Sequence, residues 1–340
     1  MTQKKNVGYS HEDFKKLYSK YYDENMIALS PHVQLVLEGT PFPVGALPRF
    51  IEANYLEEEG YTDLETCYTN ETDGSIHAAI ITEMPGVTPE MWDWWFGWHG
   101  SQNSRFKLWH PTSHVSAVWE DGEDDITYIG RNSVIEEYIV DKFVAALIQF
   151  KHPTEFGFSI DAIKDPSKAV YICAIVGHSN FPINYGYLVH QVRAVEGGSE
   201  MRSRFWLGGQ YIHARKECKL TGLTSSFVQI MKMISPDFGR KMITHCAEEM
   251  NHLAAFLPKL YVEMNQTVEK IDIDGTSIER TYEDFEMTVM DTLVNKTDTG
   301  NRPKWIEAKS VKARKAEQER KIKAAAQRSQ SKKKFSTSNK

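Results

Sequence analysis

Two side chains that bind metals stand four residues apart in the segment ITHCAEEMNHLAAF, namely His245 and Glu249. In a helix this spacing places them one turn apart on the same face, where an imidazole and a carboxylate can share a cation. Glu248 and His252 form a second pair with the same spacing. The apolar neighbours do not decide between the two pairs, so the sequence leaves open which one faces the interior.

Further candidate ligands lie upstream, in two segments of alternating polarity. His114 begins HVSAVW, and Glu136 and Glu137 interrupt the apolar run SVIEEYIV. An unpaired carboxylate inside a strand is costly, so the glutamate that points inward is expected to be metal-bound, paired or catalytic. Because alternate residues share a strand face, Glu137 lies with Ile135 and Ile139, the more uniformly apolar set. This pattern favours Glu137 and leaves Glu136 open.

Together these residues offer two imidazoles and two carboxylates, a set of donor atoms that suits zinc. Manganese and iron accept the same nitrogen and oxygen ligands, so the donor types alone do not choose the metal. The segments lie far apart in the sequence, and the site exists only if the fold brings them together.

Four of the eight tryptophans fall within the segment PEMWDWWFGWHG. Thr88 can cap a helix that has Pro89 at its first position. Trp92, Trp95 and Trp98 then recur at intervals of three residues and form one stripe along that helix. Such a stripe either fills a core or forms the wall of a pocket for a flat, apolar ligand, and both interpretations stay open.

Short β-type runs begin near residue 62, and one long amphipathic helix follows them. This order predicts an α+β fold in which an antiparallel sheet packs on the helix and encloses a ligand cavity. The helix should start near Ser235 and keep its apolar spacing up to Pro258. Residues 10–60 are predicted to be helical, with a break at 39–48. The predicted strands are SIHAAIITEM, HVSAVWE, DITYIG, SVIEEYIV, EFGFSI, AVYICAIVGH, GYLVHQVRAV and SEMRSRFWLGGQYI.

The net charge of −6 over 340 residues conceals a basic C-terminal end. Residues 301–340 hold 14 Lys or Arg and 3 Asp or Glu, against 26 and 43 in the preceding part. Such a tail suits a disordered or solvated helical extension, and we expect no nucleic-acid partner for the body. Four scattered cysteines, no signal peptide and no apolar run long enough for a bilayer predict a cytoplasmic protein without a membrane partner.

Four longer blocks follow one another along the chain, namely TEMPGVTPEMWDWWFGWHG, RFKLWHPTSHV, MRSRFWLGG and HCAEEMNHLAAFLPKLY. Together they resemble the family of 2,4-diacetylphloroglucinol hydrolase and phloretin hydrolase, over roughly residues 60–265. The resemblance implies a helix-grip fold, as in the birch pollen allergen and START proteins. It divides the chain into an N-terminal helical region at 1–60 that helps form a homodimer, a catalytic domain at 61–299, and the tail at 300–340.

The resemblance also implies roles for single residues. The zinc ligands would be two histidines and two glutamates, namely His114, His245, Glu249 and one of Glu136 and Glu137. His190 corresponds to a histidine beside the substrate and is the candidate catalytic residue. Phe106 and Phe205 stand where the diacetylphloroglucinol enzyme has tyrosines that bind the phenolic ring, so that substrate is in doubt. The tryptophan helix, with Trp95, would help to hold the ring.

The implied reaction is zinc-dependent hydrolysis of the carbon–carbon bond between an acyl group and a polyhydroxylated aromatic ring. Zinc activates water near neutral pH, and the tautomerised ring leaves as a stabilised enolate while His190 assists proton transfer. The products are a carboxylate and a phenol. Two alternatives remain: a non-enzymatic carrier of hydrophobic ligands on the same fold, and a metal hydrolase acting on another aromatic polyketide or β-diketone. Metal content separates enzyme from carrier, and product identification separates the two enzymes.

Overall fold

The computed structural model describes residues 4–124, 127–215 and 235–266, and the backbone of 271–273 and 276–278. The chain divides into two compact units, Met1–Tyr261 and Val262–Lys340. The basic tail predicted at 300–340 and the cysteine at position 218 lie outside the described residues. The site residues predicted above all belong to the first unit.

Four α-helices and several short 3-10 helices occur in the described residues. The α-helices are α1 (Pro31–Glu38), α2 (Pro89–Trp98), α3 (Asn103–Trp109) and α4 (Phe238–Gln266). The 3-10 helices are Asp13–Lys15, Leu17–Tyr21, Phe50–Glu57, His99–Ser101, Pro153–Phe156 and Gly209–Tyr211. In α2, Pro89 is the first residue and Thr88 the N-cap, as the sequence predicts.

The strands of the first unit form one antiparallel sheet in the order β1-β2-β8-β7-β6-β5-β4-β3, with β9 paired to β7. They are β1 (Cys67–Asn70), β2 (Ser75–Pro85), β3 (His114–Trp119), β4 (Asn132–Ile139), β5 (Lys142–Lys151), β6 (Ala169–His178), β7 (Ile183–Val195), β8 (Gly198–Gly208) and β9 (His213–Ala214). In the second unit β10 (Ile271–Ile273) and β11 (Thr276–Ile278) form an antiparallel pair.

Helix α4 packs on one face of this sheet, which we call the inner face. Its buried side chains recur at helical spacing, namely Ile243, Cys246, Ala247, Met250, Leu253, Leu257 and Leu260. At its start, Gly239 comes so close to Tyr68 of β1 and Ile76 of β2 that a Cβ atom there would lie 2.6 Å and 3.0 Å from their side chains. The predicted α+β helix-grip fold, a sheet wrapped on a long helix, is therefore confirmed.

The register of the strands decides which residues reach the inner face. Glu137 lies opposite His114 on β3, and His190 of β7 lies opposite Ser203 of β8. The opposite, outer face carries a second core that the 3-10 helix Phe50–Glu57 covers. This core contains Ala53, Leu56, Phe156, Phe158, Tyr171, Cys173, Val189, Trp206 and Tyr211. Because side chains alternate along each strand, the two faces separate the site from this outer core.

Several predicted elements differ from the structure. The run EFGFSI contains the end of a 3-10 helix rather than a strand, because Pro153 begins a turn that Gly157 ends in the left-handed conformation. Strand β5, KFVAALIQFK, was not among the predicted strands, since its continuous apolar run has little alternation. Residues 10–60 contain short helices rather than long amphipathic ones. Helix α4 continues past Pro258 to Gln266.

Candidate metal centre and its cavity

The candidate ligands come from three elements that the fold brings together. His114 is the first residue of β3, and Glu137 faces it from the neighbouring strand β4. His245 and Glu249 project one turn apart from the side of α4 that packs on the sheet. Glu137 shares the inner face of β4 with Ile135, and both line the cavity, as the pattern of apolar residues predicts.

The four side-chain tips surround one point. The Oε2 atom of Glu137 lies 3.4 Å from Nε2 of His114 and 3.4 Å from Nε2 of His245. The Oε2 atom of Glu249 lies 3.4 Å and 3.7 Å from the same two nitrogens. Ligands bound to zinc at about 2.0–2.1 Å in a tetrahedron are separated by about 3.4 Å. The observed spacings match that value and exceed a normal hydrogen bond.

Hydrogen bonding and charge also fit a cation at this point. The Nε2 atoms of His114 and His245 are buried and have no hydrogen-bond partner among the described residues. Two carboxylates meet here, and Glu249 is only 7% exposed. Buried charges of one sign need a compensating charge, and a divalent cation supplies it for two carboxylates. His114, His245 and Glu249 form a group that could hold a metal ion.

The surroundings of His114 orient its ring. Its Nδ1 lies 2.9 Å from the carbonyl oxygen of Phe106, which accepts the ring N–H and leaves Nε2 directed at the centre. The Phe106 ring stacks on the imidazole with centroids 3.8 Å apart. Burial by itself lowers the pKa of His114. The contacts with Glu137 and Glu249 outweigh burial and raise the pKa to about 9. Without a cation the carboxylates therefore favour a proton on this ring.

The other residues that the sequence offered as metal ligands lie outside the cluster of four ligand side chains. Glu136 points to the other face of β4, where its carboxylate accepts a hydrogen bond from Ser116 at 3.1 Å. Glu248 contacts Nε2 of His110 at 3.2 Å. Both ring nitrogens of His252 are buried and lack a partner among the described residues. Of the two helix pairs, His245 and Glu249 are therefore the pair at the centre.

A cavity of about 80 Å³ adjoins the ligands. Its wall is formed by α2, α3, the 3-10 helix His99–Ser101, α4 and the inner face of β4, β5, β7 and β8. The lining residues include Phe96, His99, Phe106, Trp109, Ser133, Ile148, Phe150, Leu188, His190, Phe205 and Met242. Pockets for organic ligands usually measure roughly 300–1,000 Å³, so an aromatic ligand has to displace lining side chains. The wall is largely aromatic and aliphatic.

His190 lines this cavity and is held from behind. Its Nδ1 lies 2.8 Å from the hydroxyl oxygen of Ser203, and both residues are buried. Burial without a charged partner lowers the pKa of His190 to about 3, so the imidazole is neutral at neutral pH. With Nδ1 engaged, Nε2 is the atom left for a ligand.

The structure places the predicted substrate contacts in two layers. Phe106 and Phe205 line the cavity with rings that offer no hydrogen bond. Trp95 is fully buried behind them, stacked on His99 at 5.3 Å and packed edge-on against Trp109. Ser133, Trp109 and Ser203 were not identified from the sequence. The inward pattern that selected Glu137 also selects Ser133, four residues earlier, and was the available signal.

Comparison with known proteins identifies the family of this chain. Residues 47–262 match the DAPG hydrolase PhiG domain family, a range that contains every candidate ligand. The chain belongs to this family. Membership in the DAPG hydrolase family confirms both the resemblance seen in the sequence and the prediction of an enzyme, a hydrolase of the class that acts on carbon–carbon bonds.

Two curated relatives of this DAPG hydrolase family member cover most of the chain. One is the 2,4-diacetylphloroglucinol hydrolase of a Pseudomonas species, 26% identical over 263 residues, which span 73% of this chain and 88% of the relative. The other is the phloretin hydrolase of Eubacterium ramulus, 28% identical over 276 residues, which span 77% of this chain and 95% of the relative.

Solved structures with remote similarity were also found. Ara h 8.0201 is 12% identical with a TM-score of 0.26 and covers 49% of this chain and 98% of its own. The ginseng major latex-like protein 151 from Panax ginseng is 11% identical with a TM-score of 0.26, and the match covers 50% of this chain and 97% of that protein.

None of the described helices is long and apolar enough to cross a membrane.

Proposed function

We propose that the protein is a zinc-dependent hydrolase that cleaves the carbon–carbon bond between an acyl group and a polyhydroxylated aromatic ring. The observation that supports this most strongly is the convergence of His114, Glu137, His245 and Glu249 with spacings of 3.4–3.7 Å beside an aromatic cavity. The relatives named as hydrolases of 2,4-diacetylphloroglucinol and phloretin support the class of substrate.

The four ligand side chains would hold the ion, and the rest of the site would handle the ring. When bound, zinc supplies Lewis acidity and a water nucleophile near neutral pH. Phe106, Phe205 and Trp109 exclude bulk water from the reacting group, which strengthens electrostatic interactions within the cavity. In the overall reaction, water adds its hydroxyl group to the acyl carbon and its second proton to the ring carbon, giving a carboxylic acid and a phenol.

His190 is the proposed proton-transfer residue. The ring carbon leaves with the bonding electron pair and needs a proton. A neutral imidazole whose Nδ1 contacts Ser203 presents Nε2 to the cavity and can carry a proton at that atom. Its presence in the cavity lining, outside the proposed ligand set, supports this role.

The phenylalanines favour a second candidate within the same enzyme class. Phe106 and Phe205 lack the hydroxyl groups that would pair with phenolic oxygens, which matters for discrimination between substrates. A related aromatic polyketide or β-diketone with fewer ring hydroxyls is therefore the alternative substrate, and diacetylphloroglucinol itself is the less favoured one. The proposal also includes a homodimer formed with residues 1–60. It further includes a cytoplasmic location, because the three cysteines that the structure describes are free and buried.

Metal analysis of two histidine variants of α4 tests the ligand set. Purified wild-type protein should contain about one zinc ion per chain, and His245→Ala should lose it along with activity. His252→Ala is the matched control, because His252 is buried on the same helix and its ring packs edge-on against Phe256. Equal loss of zinc in both variants would point to a general failure of the helix.

Product analysis tests the reaction. A panel of acyl-phenols is incubated with the zinc-loaded protein, and carboxylate and deacylated phenol are quantified. The proposal expects the two products in equal amounts for at least one compound. A protein without metal that turns over no member of the panel would be a carrier of hydrophobic ligands instead.

A further inference from the structure

Ser133 is a buried polar residue of the cavity wall that the proposed chemistry does not use. Its side chain lies on the inner face of β4 and lines the cavity, and the residue is 2% exposed. Its hydroxyl has no hydrogen-bond partner among the described residues. Buried hydroxyl groups in native proteins almost always have a partner, so an unpartnered one facing a cavity indicates a ligand group.

The wall around Ser133 is apolar. Its cross-strand neighbours are Ile148 and Trp119, and Phe106, Phe150 and Phe205 line the same cavity. The two neutral histidines of the wall each have a ring nitrogen in use, His99 with the Trp95 carbonyl and His190 with Ser203. The indole N–H of Trp109 also lacks a partner among the described residues, but it can only donate. The Ser133 hydroxyl is therefore the group of this wall that can both donate and accept.

We propose that Ser133 determines substrate specificity by forming a hydrogen bond with a hydroxyl group on the aromatic ring of the substrate. This inference rests on the proposed function and deepens it, because it names the polar contact that replaces those lost at Phe106 and Phe205. A ring without that hydroxyl leaves the Ser133 oxygen unpaired and binds less well.

The strand geometry indicates which hydroxyl is involved. Ser133 and Glu137 share the inner face of β4 four residues apart, and a strand rises about 3.3 Å per residue, or about 13 Å in total. The acyl group has to lie at the Glu137 end, near the ligands. In a ring bound with its acyl group at that end, the para hydroxyl is the one farthest from the ligands, so we assign the contact with Ser133 to the para hydroxyl.

The test compares two acyl-phenols that differ only in this hydroxyl, 2,4,6-trihydroxyacetophenone and 2,6-dihydroxyacetophenone. Ser133→Ala should lower kcat/KM for the first by about tenfold, the effect of one lost hydrogen bond. It should change kcat/KM for the second by less than about twofold, because no partner is lost. Ser133→Thr keeps a hydroxyl and should retain the preference for the first compound.

Ser199→Ala is the matched control. Ser199 is also buried on the sheet with an unpartnered hydroxyl, but it does not line the cavity. It should leave both rates unchanged. Zinc content and thermal unfolding of each variant show whether it folds and keeps its metal. Equal losses for both compounds in a folded, zinc-loaded Ser133→Ala protein would overturn the assignment.

Binding measurements separate this inference from the proposed function. Calorimetry with the zinc-loaded protein gives the Kd of each acetophenone whether or not it is hydrolysed. If neither compound is hydrolysed but Ser133→Ala weakens binding of the first about tenfold, the proposed reaction fails and the Ser133 contact stands. If wild-type protein binds the two compounds equally, the Ser133 contact fails whatever the turnover.

Discussion

At the scale of single residues, the site depends on groups that hold the reactive ones in place. The ring of His114 is fixed by the Phe106 carbonyl on one side and the Phe106 ring on its face. His190 is fixed by Ser203. Partners of this kind decide which nitrogen faces the centre, because the hydrogen bond at one ring nitrogen sets the role of the other.

Ser203→Ala tests the support of His190. The variant loses the hydrogen bond at Nδ1, so the imidazole samples other orientations, and we expect kcat to fall about tenfold with little change in KM. Zinc content should stay at the wild-type level, because the side-chain partners of Ser203 are His190 and Cys246, and neither is a proposed ligand. Ser203→Thr restores a hydroxyl and should recover much of kcat.

Ser199→Ala serves as the control here too, since Ser199 lies four residues away on the same face of β8. A fall in kcat as large in that variant as in Ser203→Ala would mean that packing of the strand, and not the contact with His190, controls the rate. Steady-state kinetics with the best substrate of the panel gives both constants.

At the scale of elements, the position of α4 against the sheet sets the position of two proposed ligands, His245 and Glu249. The helix begins at Phe238, and Gly239 lies directly against the ring of Tyr68. His245 follows less than two turns later. A shift at the start of the helix is therefore carried to His245 and Glu249, while His114 and Glu137 stay with the sheet.

Gly239→Ala tests this close approach. In a helix, alanine in place of glycine normally stabilises by about 1 kcal/mol. Here the added Cβ would lie 2.6 Å from Cδ2 of Tyr68, a buried ring that cannot move freely. We therefore expect the opposite sign, a loss of about 1–3 kcal/mol in the free energy of unfolding, together with weaker zinc binding.

A double variant provides the control. In a Tyr68→Ala background the clash is absent, so adding Gly239→Ala should cost less than it does alone, or stabilise. Denaturant unfolding of the four proteins gives the coupling. Strictly additive losses would show that the contact with Tyr68 is not the cause.

At the scale of the whole molecule, the interior holds neutral histidines. Burial lowers the pKa of His99 and of His190 to about 3, from an ordinary value of 6.5. The unfolded chain therefore binds more protons than the folded one between these values. The stability that these groups contribute is present above about pH 6.5 and declines as the pH falls from 6.5 toward 3.

His190→Gln should reduce this acid sensitivity. Below pH 6 the free energy of unfolding of the metal-free wild type should fall more steeply than that of the variant, by about 1 kcal/mol per pH unit. Urea unfolding at pH 7, 6 and 5 measures it, with a chelator present so that release of metal adds no pH dependence of its own. His11→Gln, at an exposed position, should follow the wild type. Parallel curves for all three proteins would contradict the prediction.

Much of this molecule could be predicted from local patterns. Alternation along SVIEEYIV favoured Glu137, and the spacing of four residues paired His245 with Glu249, because strand and helix periods fix which side chains share a face. The resemblance to the family implied a ligand set that includes His114, and it implied the helix-grip fold. Strand β5 and the short helices of residues 10–60 escaped prediction, since a continuous apolar run and a short amphipathic run suit more than one local structure.

Local sequence by itself determined the donor types and the helix that carries His245, and it favoured Glu137 over Glu136 without deciding between them. Only the tertiary structure decided that this helix pair, rather than Glu248 and His252, meets His114, and that Ser133 and Ser203 face the same cavity. The reason is physical: periodicity fixes a direction relative to one element's axis, whereas the distance between two elements depends on how all of their side chains pack.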